Sequence, residues 1–155
     1  MTDTIEQRLA ALGLVLPPAP PALANYVPFV LAGDHLYISG QVSRAADGTL
    51  ITGQVGAGLS IEDGQRAARA SALNILAQAK AALGRLDRIA RVLRLTGFVN
   101  AASGFSDHPK VVNGASDLMV EVLGDAGRHT RSALGCSGLP ANAATEIDAI
   151  LLVAL

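Results

Sequence analysis

The sequence predicts an α+β fold: a sheet of about five strands carrying two long helices on one face, with a short helix ahead of them. Three observations predict it. Apolar residues recur at helical spacing over two long stretches, and alternate or run continuously over five short ones. After the first short helix, these stretches follow the order β-β-α-β-α-β-β, which implies two hairpins and two helical crossovers. Half of the 155 residues are apolar and 16% are charged, which is enough for a core and far from the composition of a disordered chain.

Residues 4–12 read as a short helix that Asp3 can cap and Gly13 can stop. Pro17, Pro18, Pro20 and Pro21 then make a stiff, extended connector, read as a plain spacer. Tyr26 to Ala32 reads as a strand with an edge position or bulge at Pro28, and Gly33-Asp34 turns it into a return strand, His35 to Gln41. Gly53, Gly56 and Gly58 mark a loop. Ser60 with Asp63 in the first turn starts a helix over Ile61 to Leu83, which Gly84 ends. Arg88 to Val99 alternates as a strand, and His108-Pro109 opens a second long helix to about Leu123. Thr130 to Cys136 and Thr145 to Ala154 are the last strands, joined by a turn around Pro140. The whole chain, 1–155, reads as one domain, with helix and connector over 1–24 and the core over 25–155.

The final strand is apolar on both sides: Ile147, Ala149 and Leu151 on one, Ile150 and Leu152 beside Glu146 and Asp148 on the other. A strand of that kind is buried on both faces. Two helices cover only one, so the second face is expected to be covered by further copies of the chain in a closed ring. The small residues agree, with 28 Ala against three Phe, two Tyr and no Trp.

Charge excludes several classes of function. Twelve basic residues balance 13 acidic ones, without the basic excess and stacking aromatics of a nucleic-acid binder. No run of 18 apolar residues exists, so no membrane span is expected. Cys136 is alone and cannot form an intrachain disulfide, and the first residues lack the apolar region of a signal peptide, so a cytoplasmic location is expected. No His, Cys or carboxylate set has metal-ligand spacing, so no metal is expected. Glycine-rich phosphate loops and a serine nucleophile elbow are also missing. Cys136 has no basic neighbour and reads as an inert thiol. His35 and His108 read as structural or solvated. Arg131 and Glu146, on the two final strands, remain. Paired as a hairpin, those strands would put the two side chains at its opposite ends, where they could meet across an interface rather than within a chain, with an interface salt bridge as the plain reading. A buried guanidinium needs a carboxylate from protein or ligand.

At these residues the chain resembles a family. Arg131-Ser132-Ala133-Leu134-Gly135-Cys136-Ser137-Gly138-Leu139-Pro140, with Glu146-Ile147-Asp148-Ala149-Ile150 fifteen residues after the arginine, is similar to the C-terminal signature of the YjgF/RidA family. Upstream, Ile38-Ser39-Gly40-Gln41-Val42, Tyr26 thirteen residues before Ser39, and Val112-Asn113 are similar to that family's strand, tyrosine and helix positions. Leu95 to Asn100, Lys110 to Asp117 and Gly127-Arg128-His129 resemble its longer bacterial branch.

The resemblance implies a chorismate-mutase-like fold, a homotrimer with sites between subunits, and hydrolysis of reactive enamines and imines to 2-oxo acids and ammonia without metal or organic cofactor. It implies that Arg131 holds the substrate carboxylate, Glu146 activates water, Tyr26 and Asn113 line the pocket, and Ser39-Gly40 contacts substrate through its backbone. Three positions depart from the family pattern. Ala133 stands where a cysteine is frequent, His129 where a proline is common, and Thr145 where an apolar residue is usual. A trimeric module that only binds small carboxylates is the alternative. The endoribonuclease or translation-inhibitor label carried by family members fits the charge balance less well.

Overall fold

The computed structural model describes residues 4–155. Helix α1 (Ile5–Ala11) begins at Thr4, whose hydroxyl accepts from Gln7 N at 3.1 Å while Gln7 Oε1 accepts from Thr4 N at 2.7 Å. This reciprocal cap satisfies two of the free amides at the helix start. Asp3, the cap read from the sequence, lies outside the described residues. The helix is pinned to the body by two bonds, Ile5 N to Asp87 Oδ1 at 3.0 Å and Leu86 N to Glu6 Oε1 at 3.0 Å.

Strand β1 (Phe29–Ala32) starts later than Tyr26, since Pro28 has no N–H to offer a ladder and residues before it form bends. It forms the expected hairpin with β2 (His35–Val42), turning at Gly33, which is left-handed at φ 61°. The glycine loop contains two short strands that its composition did not announce, β3 (Gln54–Val55) and β4 (Gly58–Leu59). Helix α2 (Ile61–Leu83) carries the Ser60–Asp63 capping box. Strand β5 (Ile89–Asn100), helix α3 (His108–Leu123), strand β6 (Thr130–Cys136) and strand β7 (Thr145–Val153) complete the chain.

The main sheet has the order β1-β2-β7-β5-β6. The expected hairpin of the last two strands does not form. β5 lies between them, parallel to β6 and antiparallel to β7. The reason is apolar burial. Ile147 and Leu151 of β7 are fully buried and take a central place between β2 and β5. β6, with Thr130, Arg131 and Ser132, is the more polar strand and takes the edge, reached by the crossover through α3.

Both long helices pack on one face. Ala68, Ala72, Ile75 and Leu76 of α2 and Leu118, Met119 and Val122 of α3 share a core with Leu36, Leu95, Ile147 and Leu151. The helices approach closely at Gly114, where a Cβ would overlap the Gln65 carbonyl of α2. Gly114→Ala should therefore lower stability by about 2 kcal/mol, roughly 4–8 °C in Tm, despite alanine's better helix propensity. Chemical and thermal denaturation measure it, and an unchanged or raised Tm would show that the crossing has slack.

The opposite face carries Tyr37, Thr96, Phe98, Leu134, Asp148, Ile150 and Leu152. In the single chain Ile150 and Leu152 are half-buried, while Tyr37 and Leu134 are 45% and 49% exposed. The burial on both sides read from the sequence of β7 is thus not complete within one chain. Among the described residues, no helix is long and apolar enough to cross a membrane.

Candidate functional site

The residues singled out in the sequence fall into two groups on opposite faces of the sheet. Arg131 pairs with Leu95, which pairs on its other side with Ala149, and both of these are buried beneath the helices. Arg131 therefore points to the helix side. Glu146 pairs with Phe98, three residues from Leu95, and alternation puts it on the other side. The two side chains do not touch within the chain.

The first group is built on β6 and α3. Arg131 Nη1 donates to Asn113 Oδ1 at 2.8 Å and to Ser116 Oγ at 3.2 Å. Asn113 and Ser116 lie one helical turn apart, so both reach the same neighbour. Ser116 also meets His129 Nε2 at 2.9 Å, and His129 Nδ1 lies 2.6 Å from the Gly127 carbonyl. A carbonyl only accepts, so Nδ1 carries the proton; in the neutral ring Nε2 then accepts the serine hydroxyl. Burial holds the imidazole pKa below its ordinary value, and the Arg131 charge adds to that against the Gly127 bond. The result is a chain from imidazole through hydroxyl to guanidinium. The rest of the Arg131 guanidinium makes no hydrogen bond, and no carboxylate pairs with it, among the described residues. Ala133 packs beside it against Val112 and its neighbours and contributes no polar group. Ser116 is the member that sequence reading missed; its i+3 spacing from Asn113 is the signal that would have found it.

The second group surrounds Glu146. The ladder of β2 with β7 is interrupted between Ile38 and Gln41, which leaves Ser39 and Gly40 outside the regular pairing. Ser39 donates its N–H to the Pro28 carbonyl and its hydroxyl to the Val27 carbonyl, both at 2.9 Å. These bonds fasten the segment that carries Tyr26 over the break. A Cβ at Gly40 would stand 2.6 Å from Glu146 Oε1, so the carboxylate lies directly on the glycine backbone. Tyr26, Ser39, Gly40 and Glu146 line one cavity together. Burial, and then the charge of Asp148, raise the Glu146 carboxyl above the usual glutamate range. A shift in this direction is of the kind that suits a group exchanging protons.

One other expectation concerns a single residue. Cys136 is half-buried, donates to the Val99 carbonyl at 3.4 Å, and has its thiol pushed up by burial, so it remains protonated. Among the described residues, no group of three or more His, Cys, Asp or Glu could hold a metal ion.

A family model described as "YjgF/chorismate_mutase-like, putative endoribonuclease" matches residues 6–152. Protein TCP17 of Trypanosoma cruzi is 45% identical over 148 residues, covering 95% of this chain and 92% of that one. A crystal structure from Agrobacterium tumefaciens, of a protein with unknown function, superposes with a TM-score of 0.91 at 48% identity, over 99% of this chain and 95% of that chain. One from Shewanella oneidensis, described with the same endoribonuclease term, gives 0.93 at 39% identity, over 97% and 100%. The trypanosome relative takes the likeness beyond bacteria.

Proposed function

The chain belongs to the YjgF/chorismate-mutase-like family, and from that premise we propose that it hydrolyses reactive enamines and imines of the 2-aminoacrylate type to 2-oxo acids and ammonia, at sites shared between the subunits of a homotrimer. The observation that carries this reading is the state of Arg131. A half-buried guanidinium is held by Asn113 and Ser116, with its remaining donors uncommitted and no protein carboxylate beside it. A planar fork of this kind fits a ligand carboxylate in two parallel bonds.

The chemistry follows from the two groups. An imino acid docks its carboxylate on Arg131. The Glu146 carboxylate takes a proton from water as the water oxygen bonds to the imine carbon, and the nitrogen takes a proton from solvent. The resulting carbinolamine collapses: the protonated Glu146 returns its proton to nitrogen, the C–N bond breaks, ammonia leaves, and the hydroxyl gives its proton to solvent as it becomes a carbonyl. An enamine first gains a proton at its terminal carbon and gives one up from its nitrogen to become the imine. The substrate is already unstable, so positioning and modest proton transfer suffice.

Opposite faces of one sheet cannot serve one small molecule, which supports a site made by two copies. The exposed apolar residues of the outer face are suited to such contact. A heterologous ring gives every subunit one Arg131 group and one Glu146 group to offer, each to a different neighbour. The decisive experiment supplies imines in situ from an amino-acid oxidase. Arg131→Ala and Glu146→Ala should each cut acceleration by about 100-fold or further. Co-refolded in equal amounts they should recover about a quarter of wild-type activity, since one randomly mixed interface in four is intact. No recovery on mixing would sink the shared site. Saturable 2-oxo acid binding without turnover would favour a binding module instead.

Gly40→Ala is a milder probe of the same geometry. The added methyl must push the Glu146 carboxylate aside, so activity should fall about 10- to 100-fold while Tm stays close to wild type. Kinetics alongside a melting curve separate the two, and unchanged activity would show that the carboxylate position is immaterial.

A further inference from the structure

The Pro-rich connector is more than a spacer. It lines a cavity of about 560 Å³ together with Glu146, Gly40 and Ser39. Val42 and Leu50 line it too. The connector is fixed from both sides. Prolines restrict its φ angles, and the buried Gln78 of α2 donates to the Pro20 carbonyl at 2.7 Å. Leu14 and Leu16, just before it, pack on the core. The wall is thus preformed, and apolar apart from its backbone.

We propose that this cavity receives the substrate's side chain, and that the substrate is an imino acid with a bulky hydrocarbon side chain, branched aliphatic or aromatic. The proposal rests on the reading of Glu146 as the water-activating group. Two arguments carry it. The cavity lies within the roughly 300–1,000 Å³ of pockets that enclose drug-sized ligands, and a three-carbon imine would leave most of it to water. Besides Glu146, the charged residues lining the cavity are Arg44 and Asp47. Arg44 Nη1 donates to the Gly48 carbonyl at 2.9 Å, and Asp47 Oδ1 accepts from Thr49 N at 2.8 Å. Both are exposed and opposite in charge, whereas Pro17, Pro18, Pro20, Leu23 and Leu50 give the rest of the lining an apolar character, so a neutral hydrocarbon fits best.

The test has a catalytic and a binding arm. Imines released in situ from alanine, leucine and phenylalanine are compared by kcat/KM, and pyruvate and 4-methyl-2-oxopentanoate are titrated by calorimetry. The leucine- and phenylalanine-derived imines should be preferred by about tenfold or more, and the larger oxo acid should bind tighter by a similar factor. Leu50→Trp, which fills the cavity, should shrink both ratios. Leu50→Ala, which enlarges it without overfilling, should move preference further towards phenylalanine. Equal or reversed preference, or ratios indifferent to both substitutions, would overturn the proposal. Hydrolysis of all imines without size preference overturns it while leaving the deaminase reading standing. Tighter binding of the larger acid without any hydrolysis does the opposite.

Discussion

Arg131→Lys should lower kcat/KM for imino acids by about 10- to 100-fold, chiefly through KM. The carboxylate is bound in both ground state and transition state, so the loss is one of uniform binding. Lysine keeps the charge but presents a point donor instead of a fork, losing one of two charge-assisted bonds of about 1.5–3 kcal/mol. It also has no planar edge to rest on Asn113 and Ser116 together, so the ammonium is less well placed. Arg131→Ala removes both bonds and should fall about 100-fold or further. Arg131 is half-exposed at a sheet edge, so Tm should move little. Steady-state kinetics with a melting curve decide the matter. Lysine activity within threefold of wild type would mean that the guanidinium fork does not hold the substrate.

Glu146→Gln should have the opposite signature, a fall in kcat of about 10²- to 10⁴-fold with KM nearly unchanged, because the amide neither takes nor returns a proton. The wild-type pH profile should show the same group. Burial, then Asp148, raise its carboxyl, and the ionised form is the working one. Activity is therefore present above the raised pKa and lost as pH falls through it, on a limb lying at higher pH than an ordinary glutamate would give. Asp148→Asn removes the neighbouring negative charge and should move that limb to lower pH. Glu146→Gln also relieves the cost of a partly buried charge, so its Tm near neutrality should equal or exceed wild type. An acid limb that stays in place in Asp148→Asn would assign it to another group.

Much of this architecture is legible in the residues. Ser60 with Asp63, and Gly84, delimit α2 because caps are local chemistry, read within four residues. The β1–β2 hairpin is legible for the same reason, through Gly33. The neighbours of β6 are not, because strand order is decided by competition for central positions. The more polar β6 loses to Ile147 and Leu151, although β7 follows it directly. At the site, the residue types and the spacing of Arg131 and Glu146 can be read, but their faces cannot be compared until the register through β5 is known. The role of the connector is hidden altogether. Pro20 looks like a spacer until Gln78, 58 residues away in sequence, fixes its carbonyl.

An anion docked on Arg131 as proposed should be linked to proton uptake at His129. Its pKa is depressed first by burial and then by the Arg131 charge. A carboxylate seated on Arg131 offsets that second influence and draws the imidazole towards its cationic form. Each ligand then brings a fraction of a proton with it from the medium. By reciprocity, affinity rises as pH falls through the histidine range and weakens above it. The heat of binding will depend on the buffer that gives up the proton, and titrations in two buffers of different ionisation enthalpy read that fraction directly.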